Sequence, residues 1–410
     1  MAGNASAIQV RRIREVTQGV LPGGAMQIVP FETFQLSGAL TREQPGNVTA
    51  DRSVTDNPAS DIKVTGTAKS DFLFGDYDGL IEELMCGTIG TPFSLTASTI
   101  AAVVAGPSNK LTGPASSWVG LGDGDVVLVT GFVTNGGLWI ARVSGAPTST
   151  DLNLDASFKP LAAEAAGPSV TVEHLGRWRT GTTILTAAYE SWNTGTSVGN
   201  QMGGVGVGQL VLGVPQPNKC TMQWQCVGLT ETEIAAQLAN TSTQPTGNPL
   251  INSNTNFGDK TAIGSGMGFR YGNSGIAVPT LPLLMPTLRI KKWDLTIASP
   301  ILAEGGAGVL GPIDLSSDKR FDIKLALQVF RNSAAAETVY LDAQNPASVV
   351  QMGIGFRDAK GHRQYIWLPA LQPLSAKTSG LAQSGREMID VEYWAKSDGG
   401  AVGMIQWSKC

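Results

Sequence analysis

The chain has 410 residues, 50 of them glycine, with 15% charged residues and a formal net charge of −4. That length is a prior for two to three domains, and abundant Gly, Thr, Ser and Val point to many strands joined by tight turns. A slightly acidic chain lacks the positive footprint of a protein that wraps nucleic acid, and no apolar run approaches the roughly 20 residues that span a bilayer.

The opening Met-Ala-Gly-Asn-Ala-Ser lacks the charged and apolar regions of a signal peptide, so folding in a cytoplasm is expected. Residues 1–30 have weak periodicity. Within them Arg11, Arg12 and Arg14 form a basic cluster, read either as a solvated arm or as an arm that docks on a neighbouring subunit. Residues 33–42 read as a strand with Phe34, Leu36 and Leu40 inward, and 41–57 as a long polar loop. The chain is organised around 53–85. After a turn at Asn57-Pro58, a strand over 61–74 places Ile62, Val64, Ala68 and Phe72 on one face. Asp61, Lys63, Thr65, Thr67 and Lys69 take the other face. At Gly75-Asp76 the period changes from two to about 3.6. Tyr77, Leu80, Ile81, Leu84 and Met85 then share one side of a short helix, with Asp76 as its N-cap.

The acidic turn, the Val-x-Gly strand, the Asp-Phe-x-Phe end and the Tyr-Asp-x-Leu-Ile-Glu-Glu-Leu helix come in an order that resembles the tail tube (major tail) protein of long-tailed bacteriophages. The resemblance covers this stretch and continues in later strands; it does not clearly include 96–180. It implies a structural virion protein that stacks in rings to form the tail conduit for genome DNA. It also implies that the loop over 41–57 reaches the next ring.

From residue 96 the texture changes. Two strand-like segments flank Asn135-Gly136, the strongest hairpin signal in the chain, and Leu152, Leu154, Val170 and Val172 mark further short strands. Residues 96–180 therefore read as a small inserted all-β domain, and on a tube such an insertion belongs on the outer surface. Strands are then expected over 183–189, 205–214 and 221–229. Thr230-Glu-Thr-Glu233 reads as a capping box opening a helix to about residue 239. Residues 240–275 have no period and read as a linker or long loop.

Past that linker the pattern returns. An alternating strand over 288–297 is followed by a loop and a strand over 321–330, where Asp322-Ile-Lys-Leu repeats Asp61-Ile-Lys-Val. A helix over 334–343 and strands over 349–356, 363–368 and 388–395 follow. The expected fold is mainly β (α+β). One tail-tube-type β-sandwich or barrel domain spans 1–95 and 181–240 around the 96–180 insertion. A linker covers 241–280, and a second such domain 281–410; each domain carries a short flanking helix. Under the resemblance, Asp61, Lys63, Thr65 and Thr67, with Asp322, Lys324 and Gln328, are candidates to line the bore. Read from alternation alone, the same residues are the solvent face of an antiparallel sheet. Two modules per chain favour a homotrimer with pseudo-sixfold symmetry; the alternative is a hexamer whose second half decorates the tube. The other implied partners are tail tip, tape measure and tail terminator proteins, with DNA passing unbound and no membrane contact. The location is the virion tail, assembled in the bacterial host cytoplasm.

No catalytic, cofactor or metal site is expected. Gly195-Thr-Ser197-Val-Gly199 matches a nucleophile elbow in form, but its flanks look like a loop, and His362 falls in a hairpin turn. Gly204-Val-Gly-Val-Gly208 lacks the helix of a dinucleotide loop. Asp123 and Asp125 are too few for a calcium site, and His174 sits in a polar surface cluster. Cys220 and Cys226, on one strand about 20 Å apart, cannot pair with each other. The four cysteines read as buried thiols. The second function class is a carbohydrate-binding or adhesive β-protein of a virion or cell surface, suggested by Trp118 and Trp139 in the insertion.

Overall fold

The computed structural model describes residues 8–42, 59–105, 108–155, 161–167, 169–213, 220–249, 268–273, 283–284, 290–305, 311–317, 320–358, 360–379, 387–397 and 403–409. The protein is mainly β. The chain opens with β1 (Ile8–Arg14), β2 (Met26–Ile28), β3 (Thr33–Arg42), β4 (Ala59–Asp71) and helix α1 (Asp78–Met85). Next come β5 (Phe93–Ala97), β6 (Ala101–Ala105), β7 (Ser108–Thr112), β8 (Val126–Thr130), β9 (Leu138–Arg142), β10 (Asp151–Leu154) and β11 (Val170–His174). They lead to β12 (Gly176–Arg179), β13 (Ala187–Asn193), β14 (Val198–Gly213), β15 (Thr221–Gly228), β16 (Thr230–Ile234), β17 (Ser242–Thr243), β18 (Gly268–Asn273) and β19 (Leu283–Leu284). The last part holds β20 (Ile290–Ala298), β21 (Ile301–Gly305), β22 (Pro312–Ser317), β23 (Asp322–Phe330), helix α2 (Ala334–Gln344), β24 (Val350–Arg357), β25 (Arg363–Ser379), β26 (Met388–Ala395) and β27 (Gln406–Lys409).

One pairing order occurs twice. In the first half it is β3-β4-β15-β14-β13, and in the second β20-β23-β26-β25-β24, antiparallel throughout. In both halves a helix follows the second of these strands, α1 after β4 and α2 after β23. β14 also pairs with β20, so eight strands form one antiparallel run, β3-β4-β15-β14-β20-β23-β26-β25. The long β14 manages this by pairing with β13 and β16 through its first half and with β15 and β20 through its second. At Gly66 a Cβ would fall 1.9 Å from the Gln35 carbonyl oxygen, so β3 crosses β4 at a separation only glycine admits.

The alternation in these strands buries one face. Val64, Ala68, Trp224, Leu210, Leu295, Ile297, Ile323 and Leu325 all belong to one large apolar cluster, together with Leu80, Ile81 and Leu84 of α1 and Val339 of α2. Each of the Val, Leu and Ile side chains among these contributes roughly 1.5–3 kcal/mol on burial. α1 packs on β14 and β12, and α2 on β25 and β26. The two halves share this core: Phe72 meets Phe356 and Trp407 edge-on, at centroid distances of 5.6 and 5.8 Å.

Several expectations shift. The strand expected over 61–74 is β4, and it ends at Asp71. Helix α1 starts from Tyr77 with no side-chain cap, because the buried Asp76 carboxylate instead accepts the Thr246 amide at 2.7 Å. Residues 230–234, expected as the start of a helix, are β16, held extended by β14. The strand expected over 183–189 is β13, and β14 begins seven residues before the expected 205. Within the expected linker 241–280, residues 268–273 form β18 on the edge of β24. Leu40, expected inward, is 48% exposed.

The N-terminal arginines do not sit on a solvated arm, and of the three only Arg14 is exposed. β1 lies in the sheet between β13 and β2. Arg11 is buried against the Glu190 carboxylate and also donates to the Leu238 and Asn240 carbonyls at 3.0 and 2.9 Å. Arg12 is buried against Glu83 of α1. Burial, the largest effect, works against the Arg12 charge; the Glu83 carboxylate and Tyr189 outweigh it and raise the pKa. The guanidinium needs room beside the helix: a Cβ at position 79 would lie 2.0 Å from Arg12 Nη1, which explains Gly79 inside α1. Removing one partner of a buried pair leaves an uncompensated charge. Glu83→Ala should therefore cost about 3–5 kcal/mol in denaturant unfolding, while Arg12→Met with Glu83→Leu should recover most of it.

Two smaller sheets, β5-β11-β8-β9 and β10-β7-β6, enclose a separate apolar cluster with Trp118 and Trp139 inside it. They rest on the second half through Val126 and Ile140 against Tyr365 and Trp367, with the Arg142 guanidinium 5.0 Å from the Trp367 ring centre. β12, within the expected 96–180 insertion, pairs instead with β27 in the main sheet. His174 is buried and not part of a surface cluster; its Nδ1–H donates to the Val126 carbonyl at 2.9 Å. Burial holds its pKa below the ordinary value of 6.5. The unfolded chain thus binds the proton more readily, and stability drains as pH falls below about 6.5 towards the lower folded value. The melting temperature should drop across that range, and His174→Asn should flatten the drop relative to the parent.

Candidate functional site

The face of the eight-stranded run turned away from the core is mainly polar, with the 42% exposed Trp394 opposite Lys324 as its large apolar exception. Directly opposed residues share a face in an antiparallel sheet, so the register extends the polar row from strand to strand. Thr67 of β4 lies opposite Gln35 and Gln225, Gln225 opposite Gln209, and Gln209 opposite Ala298. Ala298 faces Asp322, and two steps along the same strands Thr296 faces Lys324. Gln328 then faces Asp390, which faces Lys377.

The candidate residues fall on this face. Lys63, Thr65 and Thr67 are exposed, and Asp322, Lys324 and Gln328 are half-buried. Asp61 pairs with Thr41 along the backbone, and its side chain lies outside the described residues. The structure thus brings the two sets onto one continuous surface, joined through β14 and β20. Sequence reading expected these neighbouring strands but did not single out their outward residues: Gln223, Gln225 and Gln209, and the acids Asp390 and Glu392. Their only signal is the alternation within β15 and β26, whose burial patterns switch strictly from residue to residue.

Charge on this face is balanced. Lys63, Lys69, Lys292, Lys324 and Lys377 stand among Asp71, Asp294, Asp322, Asp390 and Glu392. Lys324 meets Asp322 at 3.3 Å, Lys292 meets Asp294 at 2.5 Å and Lys69 meets Glu32 at 3.0 Å. Gln328 donates to Asp390 at 2.8 Å. Pairs this exposed add little stability. Their effect is to hold the local field near zero. A depression of about 320 Å³ lies on the face between Lys292, Gln328, Lys377 and Glu392.

At both ends the run stops. Among the described residues no strand pairs with the outer edge of β3, nor with the outer edge of β25 beyond Leu371. The expected loop over 41–57 lies beyond Arg42 outside the described residues.

The sequence motifs with a chemical form resolve into structure. Ser197, at φ 54°, sits in the turn between β13 and β14, with a strand on either side. His362 lies in the turn after β24, bonded to Asp358 at 2.6 Å and stacked on Phe74. Asp125 is buried, accepts the Gly122 amide at 2.7 Å and pairs with Arg177. Among the described residues no cluster of His, Cys, Asp and Glu could hold a metal, and no helix is long and apolar enough to cross a membrane. Cys86, Cys220 and Cys226 are free and buried, and burial pushes the Cys220 and Cys226 thiols up to about 12. Trp118 and Trp139, the residues behind a sugar-binding reading, are 2% and 0% exposed, so neither ring offers a face to a ligand. No protein-family model matches this chain, and no curated protein aligns with it.

Proposed function

We propose that the protein is a tail tube subunit of a long-tailed bacteriophage, a structural virion protein whose rings stack into the conduit for genome DNA. The observation that carries this reading is the eight-stranded run: one pairing order used twice, one mainly polar face and, among the described residues, an edge without a strand partner at each end. A sheet with an open strand edge at both ends is completed by closing on copies of itself, which abolishes the edges.

In this reading two tandem modules in each chain take the place of two subunits, so three chains close a ring with pseudo-sixfold symmetry. The polar face lines the bore. The duplex carries one negative charge per about 1.7 Å of axis, and each phosphate captured by a basic wall adds salt-sensitive affinity. A wall of lysines matched by carboxylates avoids that capture, so DNA passes without being held. The small sheets would face outward, and tail tip, tape measure and terminator proteins would be the other partners. The reading contains no catalytic step and no cofactor. Assembly takes place in the host cytoplasm and the product resides in the virion tail.

Purified protein should form rings or tubes in negative-stain electron microscopy, and native mass measurement of one ring should give three chains. Six chains per ring would remove the pseudo-sixfold arrangement, and discrete monomers at every concentration would remove the tube. Replacing Thr65, Thr67 and Gln328 together by Arg should leave assembly intact. The resulting tubes should retain duplex DNA at low salt and release it as salt rises, whereas the parent tubes should retain none.

A further inference from the structure

The joint inside the chain is a template for the joint between chains. Thr41 stands opposite Asp61 as Ala298 stands opposite Asp322, so β3 is the counterpart of β20. Lys377 stands opposite Asp390 as Gln209 stands opposite Gln225, so the second half of β25 is the counterpart of the second half of β14. Within the chain Gln209 pairs with Ala298, Leu210 with Ile297 and Val211 with Thr296. Carried across, the same register sets Lys377 against Thr41, Thr378 against Leu40 and Ser379 against Ala39 of another copy. Leu40 already shows the missing neighbour: it is 48% exposed, while its counterpart Ile297 is 0% exposed.

The β3 edge is not bare. The Phe72 amide donates to the Cys220 carbonyl, so even-numbered residues of β4 turn their main-chain groups to β15 and odd-numbered ones to β3. Gly38 lies opposite Val64 and therefore turns its N–H outward, away from β4. That N–H donates to the Glu231 carboxylate, whose other oxygen accepts from Asn200 Nδ2 at 2.7 Å. In the second half the Ser299 amide donates to the Gly208 carbonyl, which points the main-chain groups of Ile297 and Leu295 at β14. Leu295, the counterpart of Gly38, pairs with Leu212. Glu231 thus supplies an acceptor oxygen to the amide whose counterpart is served by a neighbouring strand.

We propose that the outer edge of β3 receives the outer edge of β25 from a second copy in the register of the β14–β20 joint, and that Glu231 guards this edge until the incoming strand displaces it. The proposal rests on the tube reading and adds to it the register of the seam and the group that must leave. A carboxylate satisfies one edge amide without offering a strand, one of the ways proteins keep an edge from pairing early.

The Lys377–Thr41 pair would be the counterpart of Gln209–Ala298, which neighbours the hydrogen-bonded Gly208–Ser299 pair and is therefore of the closer, non-hydrogen-bonded type. Its Cα separation of about 4.5 Å suits a disulfide. Thr41→Cys with Lys377→Cys, in a full-length Cys410→Ser background, should link chains on oxidation of assembled rings and yield closed three-chain species on a denaturing gel. Ala39→Cys with Lys377→Cys should link poorly. Glu231→Ala should nucleate about tenfold faster by light scattering, the scale of losing a charged hydrogen bond, and Glu231→Gln, which keeps an acceptor, should stay near the parent. Rings that form but link only through Ala39, or Glu231→Ala rings that nucleate no faster than the parent, would overturn the seam or the guard and leave the tube reading standing. Absence of rings in the parent protein would overturn both.

Discussion

The β14–β20 joint is the contact on which the architecture depends. Leu210 against Ile297 and Leu212 against Leu295 are buried completely, so the two halves meet as neighbouring strands of one sheet. Once they are fused this way, their apolar faces form a single surface that needs a single cover. Helices α1 and α2 and strands β1, β13 and β24 supply it, and Phe72 of the first half packs on Phe356 and Trp407 of the second. The same fusion places both polar faces on one side. A loose linker between two closed modules would have left each polar face free to point anywhere.

Two kinds of edge follow from the repeated pairing order. The inner one is lined by Leu210, Leu212, Leu295 and Ile297 and excludes water, so it behaves as core. The outer ones carry Lys377, Thr378, Ser379, Gly38 and Leu40. Residues of that kind pair less strongly and tolerate water. Buried charge is handled differently again. Arg11 with Glu190 and Arg12 with Glu83 fasten the first strand of the chain to β13 and α1, so its approach to the core is set by geometry as well as by apolar area.

On the exposed face, electrostatics acts by cancellation. Lysines and carboxylates sit two residues apart on a strand, as in Lys324 with Asp322 and Lys292 with Asp294. Side chains two apart lie on the same face, so each charge meets its partner without help from another element. The balance is local and survives whichever strands come to lie beside it.

Alternation made β3, β4, β20, β23 and β26 readable from residue order alone, because a half-buried strand must switch sides at every step. The repeat of Asp61-Ile-Lys-Val in Asp322-Ile-Lys-Leu likewise pointed to two related halves before any pairing was known. Residue order could not place Arg11 and Arg12, since their carboxylate partners lie far along the chain at Glu190 and Glu83. It read Thr230-Glu-Thr-Glu as a helix start, where pairing with β14 holds the segment extended. It suggested ligand-facing tryptophans at Trp118 and Trp139, which the small sheets enclose. Local pattern decides which face of a strand is wet; only the tertiary structure decides which strands share a sheet, because that choice rests on contacts between residues far apart in the chain.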